Sequence, residues 1–545
     1  MTDLEIPFET DRAGHYRFFE ILPGFLSYSL LLIPIALSAI SINAAVIFAL
    51  FYLLIFFVQS IAYATRAISG YITMKHHLRL DWTELNNDLN LGKPTTKTIE
   101  RPKWHYKNLR LLHTRELDIR PNQITHAVIV ATVNESREIL EPTIQSIIGA
   151  DYDAKRIILV IAYEGRAGQE TETRVNQLID MYGSHFQHAM AVKHPSNIPG
   201  EIIGKGGNIT YAGHKLAAYV KKAKLDTRRV LVTTLDADNR PDKRYFAALD
   251  YLYTVVPFPL KASYQPIAMF TNNIWDASTF MRVLATGNNL FYIVGTQRQH
   301  LSRNFSAHSQ PLKSLIDMNF WSTRTVVEDG HQFWRSYFHF DGDYRVIPFS
   351  IPIYQDAVLN ETYKKTLKTQ FIQLRRWTYG ASDIAYIADK GFWHKNTIPK
   401  ADVFAKFYRT LYTHVNWATN ALMIWYIGLV PPMFHPQNIA ANSLPLIVSR
   451  IQRIDMVTLV FLMYVSIVTL PPRPSRYKRH RSILMFTQWL FLPVTSIVFG
   501  SIAAFNSQTR LMFKKYLSRF DITAKTVVTS TGLKVTTAAD PSKTN

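Results

Sequence analysis

Two apolar stretches with almost no charge, residues 25–40 and 43–63, constrain this chain before anything else does. Together they are long enough for two helical crossings of a hydrocarbon layer about 30 Å thick. Backbone polar groups inside such a layer must bond within their own segment, so these stretches have to be helices. A polar break at 41–43 separates them, and Pro34 blurs the limits of the first. The pair is too long and too closely repeated for a cleaved signal peptide. Three more apolar stretches lie near the other end, at 411–433, 455–472 and 482–505. Tyr412, Trp417 and Trp425 there suit membrane–water interface positions. Buried helices of a soluble protein are the alternative, and the short 455–472 stretch fits that alternative best.

Charge then gives orientation. The chain carries 61 basic and 40 acidic residues, a formal net charge of +21. The basic loop 473–481 is expected on the cytoplasmic side, and the long basic segment 64–410 on the same side. So basic a chain could also bind nucleic acid, but no helix-turn-helix, zinc-finger or aromatic RNA-binding signature is present, so no nucleic-acid partner is expected. Cysteine is absent, which excludes disulfides, thiolate catalysis and cysteine zinc sites.

Between the apolar ends, residues 124–250 alternate short apolar strands with helical spacing. A strand at 127–131 runs into Asn134 and Glu135, and a helix follows with Leu140, Ile144, Ile147 and Ile148 on one face. A strand at 157–161 leads to Tyr163 and Glu164; a glycine-rich turn at 204–208 carries Lys205. The strand 230–235 ends in Asp236-Ala-Asp238. Such alternation implies a mainly parallel sheet covered by helices, with ligands at its carboxyl edge. Residues two apart on a strand share a face, so Asp236 and Asp238 are expected side by side, and paired carboxylates suit a hard cation such as Mg2+ or Mn2+.

Three later patterns follow in order: Val327-Glu328-Asp329, Gln373-Leu-Arg-Arg376-Trp377 and Phe520-Asp-Ile-Thr523-Ala-Lys525. Each has an ordinary reading by itself, as a turn, an acidic first helical turn or a basic amphipathic helix. In sequence they resemble the D-x-D, T-E-D, Q-x-x-R-W and F-x-V-T-x-K motifs of membrane-embedded family 2 glycosyltransferases, the group containing cellulose, chitin and hyaluronan synthases. The resemblance spans roughly residues 20–525.

It implies an α/β GT-A-like (Rossmann-like) cytoplasmic catalytic domain joined to α-helical transmembrane segments. The expected regions are 1–70 with two transmembrane helices, a catalytic 71–400, a membrane region 401–506 and a basic tail 507–545. By resemblance, Asp236 and Asp238 bind the metal, Mg2+ or Mn2+. Asn134, Glu135, Glu164, Lys205, Asp236, Gln373 and Arg376 bind the donor. Asp329 is the general base, with Glu328 beside it in the catalytic pair. Trp377 meets the acceptor, and Phe520, Thr523 and Lys525 form a gating loop. The implied reaction is inverting transfer from a nucleotide sugar, a UDP-sugar by expectation, to a growing β-linked polysaccharide. The partners are then the nucleotide sugar, a glycan or lipid-linked acceptor, and membrane lipids. A non-processive transferase and a non-catalytic membrane scaffold are the competing readings.

The chain departs from the family pattern at Tyr163-Glu164, where paired aspartates are usual, and at Val327 in place of threonine. No cyclic-dinucleotide domain is evident after the last apolar stretch. A simple helix count puts the basic tail on the far side from the catalytic domain. The motif at Phe520 and the tail's charge argue the other way, so Pro493 is expected to break 482–505 into a re-entrant segment.

Overall fold

The computed structural model describes residues 4–95, 101–115, 117–519, 526–528 and 534–536. At its centre is a mixed, mostly parallel sheet. The strands are β1 (Thr125–Thr132), β2 (Ile157–Glu164), β3 (His188–His194), β4 (Val230–Asp236), β5 (Arg240–Pro241), β6 (Ala262–Met269), β7 (Ser309–Pro311) and β8 (Arg345–Tyr354). Their order is β3-β2-β1-β4-β7-β6-β8-β5. The first four are parallel to their neighbours, β7 runs antiparallel between β4 and β6, and β6 pairs in parallel with β8.

Ala127 to Val130 are fully buried in succession, without the alternation of a one-sided sheet, because helices cover both faces. Arg137–Ile148 buries Ile139, Leu140, Ile144 and Ile147 against one face; Lys205–Lys222 buries Ile209, Ala212, Leu216 and Val220 against the other. The register sets Ala131 beside Asp236 and Thr132 beside Tyr163. The ends of β1, β2 and β4 therefore open on one edge, bringing 133–135, Glu164 and Asp236 together. The expected α/β domain with a mainly parallel sheet is present.

Four helical runs are long and apolar enough to cross a membrane among the described residues: Gly14–Ile40, Ile42–His77, Ile439–Val468 and His480–Met512. The first two extend well beyond 25–40 and 43–63, because their polar ends dock on the rest of the protein. Arg17 donates to the carbonyl of Leu511, and Gly70 packs against Ile293 so closely that a Cβ there would collide with its carbonyl. The stretch at 411–433 lies mostly in Lys400–Tyr426, which is long enough but too polar for that set, carrying Thr410, Thr413, Asn416 and Asn420. It still packs along Gly14–Ile40, where the Tyr426 hydroxyl donates to the Leu31 carbonyl.

The expected break at Pro493 is not a break. His480–Met512 stays helical but changes winding, from α to 3-10 at Gln488–Phe491, then a short α turn, then π at Ser496–Ser501. Pro493 falls in the first turn after the 3-10 segment, where a missing N–H costs little. Both ends of the run touch the α/β side. Arg481 donates to the Trp275 carbonyl at 2.9 Å, and the Ser507 hydroxyl to that of Arg375 at 2.6 Å. The basic loop before it docks there too, with Arg476 on Asp276 at 2.8 and 2.9 Å. Beyond it, Arg519 bridges in parallel to Ile203, two residues from Lys205.

Candidate functional site

Lys205 organises the carboxyl edge. It is the first residue of the Lys205–Lys222 helix, not part of a free turn as its glycine-rich setting suggests. The glycines serve packing: a Cβ on Gly206 would strike the Ser322 carbonyl, and one on Gly207 would lie 2.7 Å from Glu201 Oε2. The helix start is thereby pressed into the site, adding its positive dipole end. Lys205 Nζ lies 2.9 Å from Asp236 Oδ1 and 3.0 Å from Asp329 Oδ2. Burial alone would pull the ammonium down, but Asp236, Asp329 and Glu328 outweigh it, and its pKa is raised.

Asp236 ends β4, and its Oδ2 also accepts from the Ser306 hydroxyl at 2.7 Å. Asp238 lies past the strand end, in a turn closed by Asn239 N on Asp236 O at 3.0 Å. Its Oδ2 accepts from the Asp356 amide at 3.0 Å. Both carboxylates line the same cavity, although only Asp236 belongs to the strand.

Asp329 and Glu328 open the Glu328–His339 helix. Asp329 faces the cavity with 17 % of its side chain exposed, whereas Glu328 is 1 % exposed and neither of its oxygens finds a hydrogen-bond partner among the described residues. Burial first, then Asp329, push the Glu328 carboxyl up; Lys205 and Arg376 oppose them only in part. Glu328 is thus held toward its neutral form, and Asp329 is the member placed to meet a ligand.

At the ends of β1 and β2, Glu164 and Glu135 line the cavity and Asn134, buried beside them, does not. Glu135 folds back, accepting from Thr132 Oγ1 at 2.7 Å and Val133 N at 2.8 Å. Glu164 is held by two residues the sequence did not single out, His194 at 3.2 Å and Arg166 at 3.4 Å. The other ring nitrogen of His194 lies 3.1 Å from Glu201. Burial lowers the His194 pKa, but the two glutamates outweigh it and raise it to about 9. Asn208 donates to the Ala162 carbonyl at 3.0 Å and fixes the helix start to the end of β2.

The Q-x-x-R-W residues come from the Tyr363–Thr378 helix. Gln373, Arg376 and Trp377 all line the cavity. Arg376 donates to the Val326 carbonyl at 3.4 Å, which ties it to the segment carrying Glu328. Trp377 lies 6.1 Å from Phe270, ring centre to ring centre. Phe520, Thr523 and Lys525 lie outside the described residues, but Thr526, just beyond them, lines the cavity.

The cavity measures about 780 Å3 and runs from Glu164 past Lys205 and Asp329 to Trp377, then on between helices of the bundle. That size suits a ligand larger than a single sugar. No group of three or more His, Cys, Asp or Glu side chains able to hold a metal occurs among the described residues. Asp236 and Asp238 offer hard oxygen donors only. That set fits Mg2+ or Mn2+ where ligand phosphates and water complete the shell, and fits a soft metal poorly.

No protein-family model matches the chain, and no curated protein does. Among solved structures, a mannosyltransferase from Pyrobaculum calidifontis, in complex with GDP-Man and Mn2+, is similar over 83 % of this chain and 100 % of its own, at 13 % identity and a TM-score of 0.37. A TarS fragment from S. aureus, in complex with UDP-GlcNAc, is similar over 75 % of this chain and 95 % of its own, at 9 % identity and a TM-score of 0.34. GalNAc-T7, with UDP, GalNAc and Mn2+, covers 54 % of this chain and 58 % of its own, at 11 % identity and a TM-score of 0.31. At this distance the functional reading rests on the geometry of the site.

Proposed function

We propose that this chain is a GT-A-like, family 2-type membrane glycosyltransferase that transfers a sugar from a nucleotide-sugar donor, a UDP-sugar, to a growing β-linked glycan at the cytoplasmic membrane face, with inversion. The observation that carries the reading is one convergence. Motifs separated by more than ninety residues meet on a single cavity, with Lys205 bonded at once to Asp236 and Asp329. A lysine between two carboxylates on the wall of one cavity is a charge arrangement that an anionic donor can enter.

In this reading Glu164 and the β1 end frame the nucleoside. Asp236 and Asp238 would hold Mg2+ or Mn2+, which supplies charge neutralisation for the departing diphosphate. Lys205 exchanges its carboxylate partners for donor phosphate when the nucleotide sugar enters. That exchange frees Asp329 to take the proton from the attacking acceptor hydroxyl. Arg376 faces the charge that develops on the leaving group. Trp377 offers an apolar face to the acceptor sugar. Attack from the side opposite the diphosphate, with one base, inverts the anomeric centre.

Extension of a glycan is supported by Thr410, Thr413 and Asn416 of Lys400–Tyr426, which line the cavity and offer a sugar chain hydrogen-bonding neighbours there. The test is incubation of the purified protein with a panel of labelled nucleotide sugars and Mg2+ or Mn2+, followed by sizing of the product. Consumption of one donor with long products supports the reading; products of a single added sugar point to the non-processive alternative. No consumption of any donor refutes both.

A further inference from the structure

The Ile439–Val468 helix lies along Ile42–His77, and the two run in the same direction. Leu444 and Val448 share a buried cluster with Ala49 and Leu53, the Thr458 hydroxyl meets that of Ser60 at 2.8 Å, and Met463 and Val465 share a cluster with Ala67 and Met74. Residues 450–455 therefore stand level with the chain between Leu53 and Ser60, well inside the uncharged stretch 43–63. Counted along its own helix from Ile439, Arg450 lies about 16 Å from the start, near half the thickness of a hydrocarbon layer. Arg450 and Arg453 are both exposed at this depth.

The outward face of this helix carries a repeat. Leu446, Arg450, Arg453, Val457, Val460 and Tyr464 are all exposed and follow one another by alternate steps of four and three. That spacing is the seam along which one helix packs on another in a left-handed pair. The two arginines occupy neighbouring positions of the seam. Among the described residues neither meets a carboxylate, and Arg453 donates to the Ser449 hydroxyl of its own helix at 3.3 Å. Asp455, the acid of the same helix, accepts from Thr458 Oγ1 at 2.9 Å, on the side tied to Ser60. Charged side chains at this depth are costly, and where they occur they face a polar cavity or pair with an opposite charge. Neither arginine reaches the cavity at Asp329.

We propose that this face docks a transmembrane helix of another protein, one that carries a carboxylate near its midpoint to meet Arg450 and Arg453. A second copy of the chain fits poorly. Two copies related by an axis along the membrane normal present the same residues at the same depth, which sets arginine against arginine. Lipid headgroups fit poorly as well, because those of either leaflet are about 15 Å from Arg450 along the helix. The proposal rests on the membrane part of the reading and on none of its transfer chemistry.

The experiment places the full chain in phosphatidylcholine liposomes with a fluorophore attached through Gln437→Cys, beside the helix start; the chain has no other cysteine. The probes are two single-span polyleucine peptides labelled at their ends, one with glutamate at its midpoint and one with glutamine there. Energy transfer gives the affinity of each for the parent, for Arg450→Gln/Arg453→Gln, for the charge-keeping Arg450→Lys/Arg453→Lys, and for Arg479→Gln in the basic loop. The expected result is at least a tenfold preference for the glutamate peptide in the parent, the lysine pair and the Arg479 variant, falling below threefold in the glutamine pair. Equal binding of the two peptides by the parent, no binding of the glutamate peptide, or a preference that survives the glutamine pair overturns the proposal. Loss of the preference when phosphatidylglycerol replaces part of the lipid also overturns it, and assigns the arginines to headgroups. Energy transfer between two copies of the parent that the glutamine pair abolishes overturns it too, and assigns the face to a second copy. A chain that stays in the supernatant when liposomes are pelleted overturns the proposal together with the membrane reading. Consumption of nucleotide sugar, measured separately, tests the transfer reading and leaves the docking face untouched.

Discussion

Replacing Lys205 by methionine tests how the site is held together. Methionine keeps the length and apolar stem but removes the ammonium that bonds Asp236 at 2.9 Å and Asp329 at 3.0 Å. Breaking a buried ion pair by deleting one partner costs about 3–5 kcal/mol, because the remaining charge is stranded. Lys205 itself is only 7 % exposed, but Asp236 and Asp329 keep 35 % and 17 % of their side-chain surface and can be partly resolvated. Discounting for that screening brings the expected loss to about 2 kcal/mol. On the scale of about 2–4 °C per kcal/mol for a mid-sized domain, the unfolding midpoint falls by roughly 4–8 °C. The Lys205 pKa is raised, so its contribution is fully present below the ordinary lysine range and is lost only as pH rises through the higher folded value. The loss in Lys205→Met is therefore constant from about pH 6 to pH 9. Millimolar Mn2+ should recover most of it, since a divalent cation can take the vacated place between the carboxylates. Thermal unfolding in detergent, with and without Mn2+, reads both effects. A variant as stable as the parent, and indifferent to Mn2+, refutes the claim that one cation position unites the two carboxylates.

Three other outcomes follow from the same geometry. Asp238→Asn should weaken half-maximal activation by Mn2+ at least as much as the roughly 10–100-fold typical for losing an outer-shell partner, with the fold intact by circular dichroism; unchanged activation would remove Asp238 from the metal site. Trp377→Ala should raise the acceptor KM by roughly 2–12-fold, the equivalent of about 0.5–1.5 kcal/mol of ring stacking, and leave the donor KM alone; equal effects on both would indicate a packing role. His194 is raised to about 9 by Glu164 and Glu201 against the pull of burial, so its stabilisation is complete below about pH 6.5 and is lost as pH climbs through 9. The parent's unfolding midpoint should fall over that window more steeply than that of His194→Gln, and parallel profiles would contradict the pairing.

Much of the site was legible because each motif is short and local. Asp236, Asp238, Glu328, Asp329, Gln373, Arg376 and Trp377 can be picked out by spacing, and the structure gathers all seven on the lining of one cavity. Glu328 is on the lining too, but tucked away from solvent, a difference set by the turn of the helix it opens and invisible in the letters E-D. What sequence could not give was pairing across distance. His194 reaches Glu164 only because β2 and β3 run in parallel register, thirty positions apart. Lys205 reads as a lysine in a glycine turn, and its contact with Asp329 depends on a helix pressed in by glycine packing. The long apolar helices were drawn too short because hydropathy marks only their apolar middles, while Arg17, Glu20 and Tyr516 stitch the ends together through hydrogen bonds. The winding around Pro493 was misjudged because a proline after a 3-10 turn can begin a helix as readily as end one.

The most direct test of the account is transfer itself, measured on the parent and on Asp329→Asn with the same labelled nucleotide sugar and Mn2+. Asparagine keeps the shape of the side chain at the cavity wall but cannot accept the acceptor's proton. The account predicts that the variant binds the donor with parental affinity and loses transfer by about 10²–10⁴-fold, the usual worth of a positioned general base. Undiminished transfer by the variant at saturating donor would contradict the assignment of Asp329 and, with it, the reading of this cavity as a glycosyl-transfer site.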